Sequence, residues 1–197
     1  MFKKAKAGSN LARFGSMPAF LSVIIEQHKI YSDFLHKHQS LDSLDNEAII
    51  RLNQKQLDPF YISTIFSAMF LEAYIYDYAA RKESASYVNN YLDKLDPPAK
   101  WVVITKLYNP TGFDTSKQAF VLLKALFKIR NTLTHNKSKA IEKFEDIQKS
   151  TSPVLSPIVC LNTIHAVMSE LLTIDPNELY ASIIVDDIKA ITVAYPA

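Results

Sequence analysis

Cysteine and glycine are nearly missing from this chain, which has one cysteine, Cys160, and three glycines among its 197 residues. A single cysteine excludes a disulfide framework and a metal site built from several thiolates. The apolar residues around Cys160 indicate a buried, inert thiol. The shortage of glycine disfavours turn-rich β-sandwiches, while abundant Ala, Leu, Ile, Lys, Glu and Gln favour helices. The composition therefore predicts an all-α protein.

A large excess of charge of either sign is also missing. The chain has 22 basic and 20 acidic residues, which gives a net charge of +2. No field of the whole protein would therefore draw in nucleic acid. Any contact with RNA has to come from a local patch of basic side chains.

The chain lacks the two apolar signals that would direct it to a membrane or out of the cell. The basic start, residues 1–6, is followed by Gly8-Ser9-Asn10, where a secretory signal needs its apolar segment. The longest apolar run, residues 60–80, contains Glu72 and Asp77 together with several tyrosines and serines. It is typical of the central helix of a bundle. We therefore expect a cytoplasmic protein with no membrane partner.

The spacing of the apolar residues predicts a succession of helices. Proline and capping signals place these helices at about 18–38, 45–52, 58–80, 87–95, 99–108, 114–130 and 157–173. The tail at 183–193 is rich in β-branched residues and is compatible with a small hairpin; periodicity does not decide it. No repeat or linker divides the chain, so we expect a single helical domain over residues 1–197.

The most informative stretch is Phe127-Lys128-Ile129-Arg130-Asn131-Thr132-Leu133-Thr134-His135. It closes an amphipathic run with Arg-Asn and places a histidine five residues after the arginine. The guanidinium is a fixed cation that can hold a phosphate, and the imidazole titrates near neutral pH and can move protons. Together with a side-chain amide, these groups suit phosphodiester chemistry.

This Arg-Asn-x-x-x-His motif resembles the signature of the HEPN superfamily, all-α domains that include many metal-independent ribonucleases. The preceding long apolar helix with its embedded glutamate, residues 66–74, is also similar to HEPN domains in its order along the chain. The resemblance spans about residues 58–150 and implies a HEPN-like helical bundle, with the helices at 18–38 and 157–173 as additional terminal helices. In the toxin branch that pairs with a small nucleotidyltransferase antitoxin, a tyrosine follows the histidine by two residues. Lys137 stands there, so the chain is not assigned to that branch.

The resemblance and the chemistry of the side chains together suggest roles for the motif. His135 would act as general acid or base, Arg130 would grip the scissile phosphate, and Asn131 would orient Arg130 or the 2′-hydroxyl. Because the 2′-hydroxyl of the RNA would be the nucleophile, neither a metal nor a cofactor is expected. Four basic residues near the motif could supply a local cationic groove: Lys128, Lys137, Lys139 and Lys143.

Glu72 is the one supporting residue that the sequence suggests outside the motif. A carboxylate on an apolar helix is costly to bury unless a cation or several donors meet it. Glu72 would then pair with Arg130 and hold the guanidinium at a fixed angle. Two other interpretations remain open: an ordinary ion pair between helices, or a helix face that reaches solvent.

Helix geometry separates the two chemical groups of the motif. At about 100° per residue, Arg130 and His135 lie about 140° apart on one continuous helix, so they do not point at the same phosphorus atom. Either the helix loosens after Arg130, where weak helix formers follow, or a second copy brings its own motif to the site. HEPN ribonucleases generally use paired motifs, and we therefore expect a homodimer.

Two functional classes follow from these patterns. The first is an endoribonuclease that cuts unpaired RNA, with a biological role as a toxin or phage-defence effector restrained by an antitoxin or regulatory partner. The second is a non-catalytic helical module that binds RNA or nucleotides or assembles with other proteins. The direction in which Arg130 and His135 point distinguishes these classes.

Overall fold

The structure is a computed structural model that describes residues 15–37, 46–135 and 154–196, with only the backbone given for 46–56. These residues form helices and no strand, which confirms the predicted all-α class. In chain order the helices are α1 (Met17–Lys37), α2 (Asn46–Lys82), α3 (Ala85–Tyr87), a π-helical turn (Val88–Leu92), α4 (Pro97–Tyr108), α5 (Gln118–Thr134), α6 (Pro157–Ile174) and α7 (Leu179–Ala194).

Local sequence explains where several helices begin and turn. Ser84 caps α3, and its hydroxyl accepts a hydrogen bond from the backbone N–H three residues later. Pro97 and Pro157 occupy the first turns of α4 and α6, where the missing N–H has no helical partner to lose. Between α4 and α5, Gly112 has a φ of 63°, and a Cβ there would lie 2.8 Å from the Lys106 side chain. That turn therefore requires glycine.

Helix α2 is longer than the sequence indicates. Asp58-Pro59 was expected to open a new helix after a short one, but Pro59 lies inside a single 37-residue helix, so this prediction is wrong. An internal proline costs about 3 kcal/mol in an isolated helix. Packing against α1 opposes that cost: the ring of Phe60, the next residue, packs edge-on against Tyr31 at a centroid distance of 5.0 Å, a contact worth about 0.5–1.5 kcal/mol.

The tail of the chain is helical, so the small C-terminal hairpin considered for it is wrong. In α7 the side chains of Ala181, Ile184, Val185 and Ile188 are buried. Their spacing of three, four and seven residues is that of one helix face. Burial of this face outweighs the preference of β-branched residues for strands, because that preference is a property of packing context more than of the backbone.

The core is organised around α2 and α6. The expected apolar run is confirmed as a core helix, and Phe70, Leu71, Tyr74, Ile75 and Tyr78 are each at most 1% exposed. Among the described helices, α6 alone is long and apolar enough by composition to cross a membrane. However, 56% of that segment is buried within the fold, as befits a helix at the centre of a bundle.

Polar contacts join the end of α2 to the turn between α6 and α7. Arg81 donates two hydrogen bonds to Glu178, at 3.0 and 2.9 Å, and the Tyr74 hydroxyl donates a third at 3.0 Å. Lys82 pairs with Asp175 at 2.7 Å. Burial, together with the neighbouring Glu178 carboxylate, raises the pKa of Tyr74 above its ordinary value. The Tyr74 hydroxyl therefore keeps its proton and serves as a donor.

Helices α1 and α6 begin and end within one residue of the predicted bounds. The last described residues return to α1: the His28 imidazole Nε2 lies 2.8 Å from the carbonyl oxygen of Tyr195, and the Ser32 hydroxyl donates to the carbonyl of Pro196 at 2.9 Å. These bonds fix the end of the chain beside the first helix.

Candidate functional site

The motif occupies the last turns of α5 and remains helical through Thr134. The N–H of His135 donates to the carbonyl of Asn131 at 3.0 Å. The hydroxyls of Thr132 and Thr134 each donate to the carbonyl four residues earlier, both at 3.0 Å. The loosening of the helix considered for this stretch is therefore absent. Arg130 and His135 project from different sides of α5, as the helix geometry requires.

Arg130 lies against α2 with 23% of its side chain exposed. Its Nη2 is 3.4 Å from Oε2 of Glu72, and its guanidinium carbon lies 5.3 Å from the centre of the Phe127 ring. The buried Nε has no hydrogen-bond partner among the described residues. Among the residues that the structure describes, the guanidinium is thus held by one long hydrogen bond and a cation–π contact.

Glu72 contacts a second cation that the sequence analysis missed. The ammonium Nζ of Lys100 lies 3.3 Å from Oε1 of Glu72 and 2.9 Å from Oδ1 of Asp93. The Lys100 side chain is only 4% exposed, whereas those of Glu72 and Asp93 are 37% and 52% exposed. We call these four side chains, Glu72, Asp93, Lys100 and Arg130, the ion cluster. The contact expected between Glu72 and Arg130 is present, while its role in positioning the guanidinium remains a prediction.

A groove of about 1060 Å³ opens between α4 and α5, and we call it the α4–α5 groove. Its apolar lining consists of Pro98, Ala99, Val102, Val103, Phe120 and Phe127. Its polar lining consists of Asp96, Lys124, Lys128, Asn131, Thr132 and His135. The structure thus brings three predicted site residues, Lys128, Asn131 and His135, into one open concave surface.

Arg130 is not part of that surface. The ring of Phe127 lines the groove and also lies beneath the guanidinium, so this aromatic side chain separates the ion cluster from the groove. Arg130 and His135 of one chain therefore do not share a cleft. Any reaction that uses both groups at one phosphate requires a second copy or a rearrangement of Arg130.

The remaining predicted lysines, Lys137, Lys139 and Lys143, lie outside the described residues. Lys124 lines the groove but was not singled out from the sequence. The sequence contains the pattern that identifies Lys124 as a lining residue: Lys124 and Lys128 are four residues apart and share a helix face with Asn131 and His135. Asp96 is the one acidic residue in the groove lining, and its carboxylate does not cap α4 although it stands at the N-cap.

The lone thiol takes no part in the site. Cys160 is fully buried, which confirms the sequence prediction, and burial raises its pKa to about 12. A thiol in this state is a poor nucleophile at neutral pH. Within the described ranges, no three His, Cys, Asp or Glu side chains lie together as a metal site would need.

Comparison with known proteins gives no match: no family model matches the chain, and no significantly similar curated protein or solved structure is found. The HEPN resemblance accordingly remains a prediction that depends on the motif and the order of the helices. The candidate site is defined by the groove and the ion cluster.

Proposed function

We propose that the protein is a metal-independent endoribonuclease that cuts unpaired RNA in the cytoplasm and acts as a homodimer. The observation that carries this proposal is the placement of His135, Asn131 and Lys128 in one open groove, with Arg130 on the next face of the same helix. An imidazole, an amide and cations at one surface are the groups that transfer of a phosphodiester requires.

In the proposed reaction the substrate's own 2′-hydroxyl is the nucleophile. Its oxygen bonds to the adjacent phosphorus as the bond to the 5′-oxygen breaks, which leaves a 2′,3′-cyclic phosphate and a 5′-hydroxyl. His135 moves one of the two protons of this step, either from the 2′-hydroxyl or to the departing 5′-oxygen, and water carries the other. General acid–base catalysis of this kind contributes about 10²–10⁴-fold to the rate.

Arg130 supplies the fixed positive charge for the transition state. Because Arg130 and His135 of one chain are separated by the Phe127 ring, we infer that each active site combines His135 of one copy with Arg130 of the other. A two-fold pair of copies presents two such combinations. Asn131 lies on the His135 side and orients the 2′-hydroxyl.

A second candidate function is a non-catalytic module that binds RNA. The contact of Arg130 with Glu72 outside the groove favours it, because a structural ion pair leaves the groove without its catalytic cation. In the catalytic case, a toxin or phage-defence role with an inhibitory partner follows naturally from the activity. In the second case the groove binds RNA and the motif stabilises the fold.

The first experiment separates catalysis from binding. The purified protein is incubated with single-stranded RNA in excess EDTA, and cleavage is expected to persist with 2′,3′-cyclic phosphate or 3′-phosphate ends. DNA of the same sequence lacks the nucleophile and should survive. His135→Ala and Arg130→Ala should each lose most of the rate and remain folded. An unchanged rate in both variants would assign the activity to another site or a contaminant, and absence of cleavage by the wild type would favour the binding module.

A complementation experiment tests whether the site is shared between copies. His135→Ala and Arg130→Ala proteins are inactive alone, but a mixed dimer contains one site with both groups if they come from different chains. After random mixing, about one quarter of the wild-type activity is expected, since half of the dimers are mixed and each has one of two sites intact. A mixture that stays inactive while differently tagged copies of the two variants co-purify as mixed dimers would place both groups in one chain.

A further inference from the structure

The α4–α5 groove combines an apolar wall with a basic rim. Val102, Val103, Phe120 and Phe127 form the apolar part, and Val103 remains 37% exposed in the folded chain. The volume of about 1060 Å³ reaches the upper end of the 300–1,000 Å³ usual for small-molecule pockets. The groove is therefore large enough for a segment of a chain-like ligand.

Three basic or titratable side chains follow one line along α5. Lys128 lies four residues after Lys124, and His135 seven residues after Lys128; at about 100° per residue the three fall within roughly 40° of one another. At a rise of about 1.5 Å per residue the two lysines are offset by about 6 Å. Among the described residues neither lysine forms an ion pair, and Lys124 Nζ lies 5.8 Å from the centre of the Phe120 ring.

We propose that the α4–α5 groove binds one unpaired RNA strand, with a base against the apolar wall at Val103 and neighbouring phosphates on Lys124 and Lys128. The choice of RNA rests on the proposed ribonuclease function. An unstacked base can bury its apolar face against this wall. The bases of an unpaired strand are available for this contact, whereas those of a duplex are stacked and paired. The strand then runs along α5 toward His135.

Charge argues against a second copy of this chain as the occupant. Within the described part of the chain, each groove is lined by Lys124 and Lys128 but by only one carboxylate, Asp96. Two grooves packed face to face would bring four ammonium groups together with two carboxylates. A polyanion is the better complement to this rim.

Binding is measured by fluorescence anisotropy with a short, labelled, unstructured 2′-O-methyl RNA, which lacks the attacking hydroxyl and cannot be cut. Lys124→Ala/Lys128→Ala should weaken binding at least about tenfold at low salt and lower the slope of log affinity against log salt by about 1.4, since each phosphate contact on a single strand contributes about 0.7. Val103→Asp should also weaken binding about tenfold. The matched control is Val159→Asp on α6, since Val159 is 39% exposed against 37% for Val103. Lys189→Ala on α7 controls for the loss of a surface lysine.

Unchanged affinity and salt slope in the groove variants would overturn the proposal, whether or not the protein cuts RNA. An unlabelled RNA duplex that competes as well as the single strand would also overturn it. A smaller particle in light scattering of Val103→Asp would mean that the groove joins two copies, which contradicts the proposed occupant. Groove-dependent binding by a protein that leaves natural RNA intact would support the groove and refute the ribonuclease function.

Discussion

The ion cluster has an asymmetry that a double-mutant cycle can test. Its most buried member is the cation: the Lys100 side chain is 4% exposed, and the two carboxylates that meet it are far more accessible to water. Removing either carboxylate leaves Lys100 one partner. Removing both, in Glu72→Gln/Asp93→Asn, leaves a buried ammonium with no carboxylate partner among the described residues, which is the costly situation for an ion in a protein interior.

The distances within the ion cluster determine the expected loss in the free energy of unfolding. At an effective dielectric constant of about 20, contacts of 2.9 and 3.3 Å correspond to gross attractions of about 5–6 kcal/mol each, most of which desolvation cancels. We expect each single substitution to lower the free energy of unfolding by about 1 kcal/mol, because the exposed carboxylates are partly screened. The double substitution should lower it by about 3–5 kcal/mol.

Urea unfolding followed by circular dichroism measures all four corners of the cycle. The expected coupling, the excess of the double effect over the sum of the two single effects, is about 1–3 kcal/mol, above the 0.3–0.5 kcal/mol within which independent sites add. The matched control is Asp186→Asn/Asp187→Asn, which removes two exposed carboxylates from α7. Additive effects in the ion cluster would refute the reasoning that Lys100 depends on these two carboxylates.

Three further predictions concern the site, the fold and pH. Glu72→Gln should lower the rate of RNA cleavage while the protein remains folded, because Arg130 loses its only carboxylate partner among the described residues. A folded variant that cleaves at the wild-type rate would remove Glu72 from the site. Arg81→Met should lower the unfolding free energy in urea by about 2–4 kcal/mol, because it leaves Glu178, 4% exposed, without its cation; a loss below about 1 kcal/mol would contradict this. Burial lowers the pKa of His28 below its ordinary 6.5, despite its backbone hydrogen bond. Because the unfolded chain then binds more protons than the folded one, the free energy of unfolding decreases as the pH falls below 6.5. Between about pH 7.5 and 5.5, the melting temperature of His28→Gln should therefore drop by less than that of the wild type. An equal drop in both proteins would contradict the role of His28 in the pH dependence.

Much of the fold was predictable because prolines and capping residues mark several helix boundaries. The proline at the start of α6 marks the first residue of that helix, and the prolines at the start of α4 lie within two residues of its predicted start at 99. Helix α5 instead begins at Gln118, four residues after its predicted start at 114. The helix start predicted at residue 58 is wrong. A proline after an aspartate is typical of the first turn of a helix, whereas in the structure α2 continues through Pro59 and Phe60 packs on α1. The tail at 183–193 stayed undecided from the sequence, because its β-branched residues favour a strand while Ala181, Ile184, Val185 and Ile188 have helical spacing; burial of that helix face decides it.

The site was predictable only as far as one helix determines it. The positions of Asn131 and His135 on a common face follow from their spacing along α5, and so does the divergence of Arg130. Lys100 could not be assigned, because its partners Glu72 and Asp93 come from 28 and 7 residues away and meet it only after α2 and α4 pack. The groove itself is a property of two packed helices, and no single segment of sequence contains it.

The contact between Arg130 and Glu72 is weak enough to be exchanged for a phosphate. The guanidinium has five N–H donors, and the described residues accept from one of them at 3.4 Å. A phosphate oxygen forms shorter, charge-assisted hydrogen bonds with arginine and can engage two donors at once. Glu72 meanwhile keeps Lys100 as a counter-ion, so releasing Arg130 does not leave an unpaired carboxylate. In the proposed dimer, the ion cluster would hold Arg130 in a defined orientation in the free protein and release it to an RNA phosphate bound at His135 of the second copy.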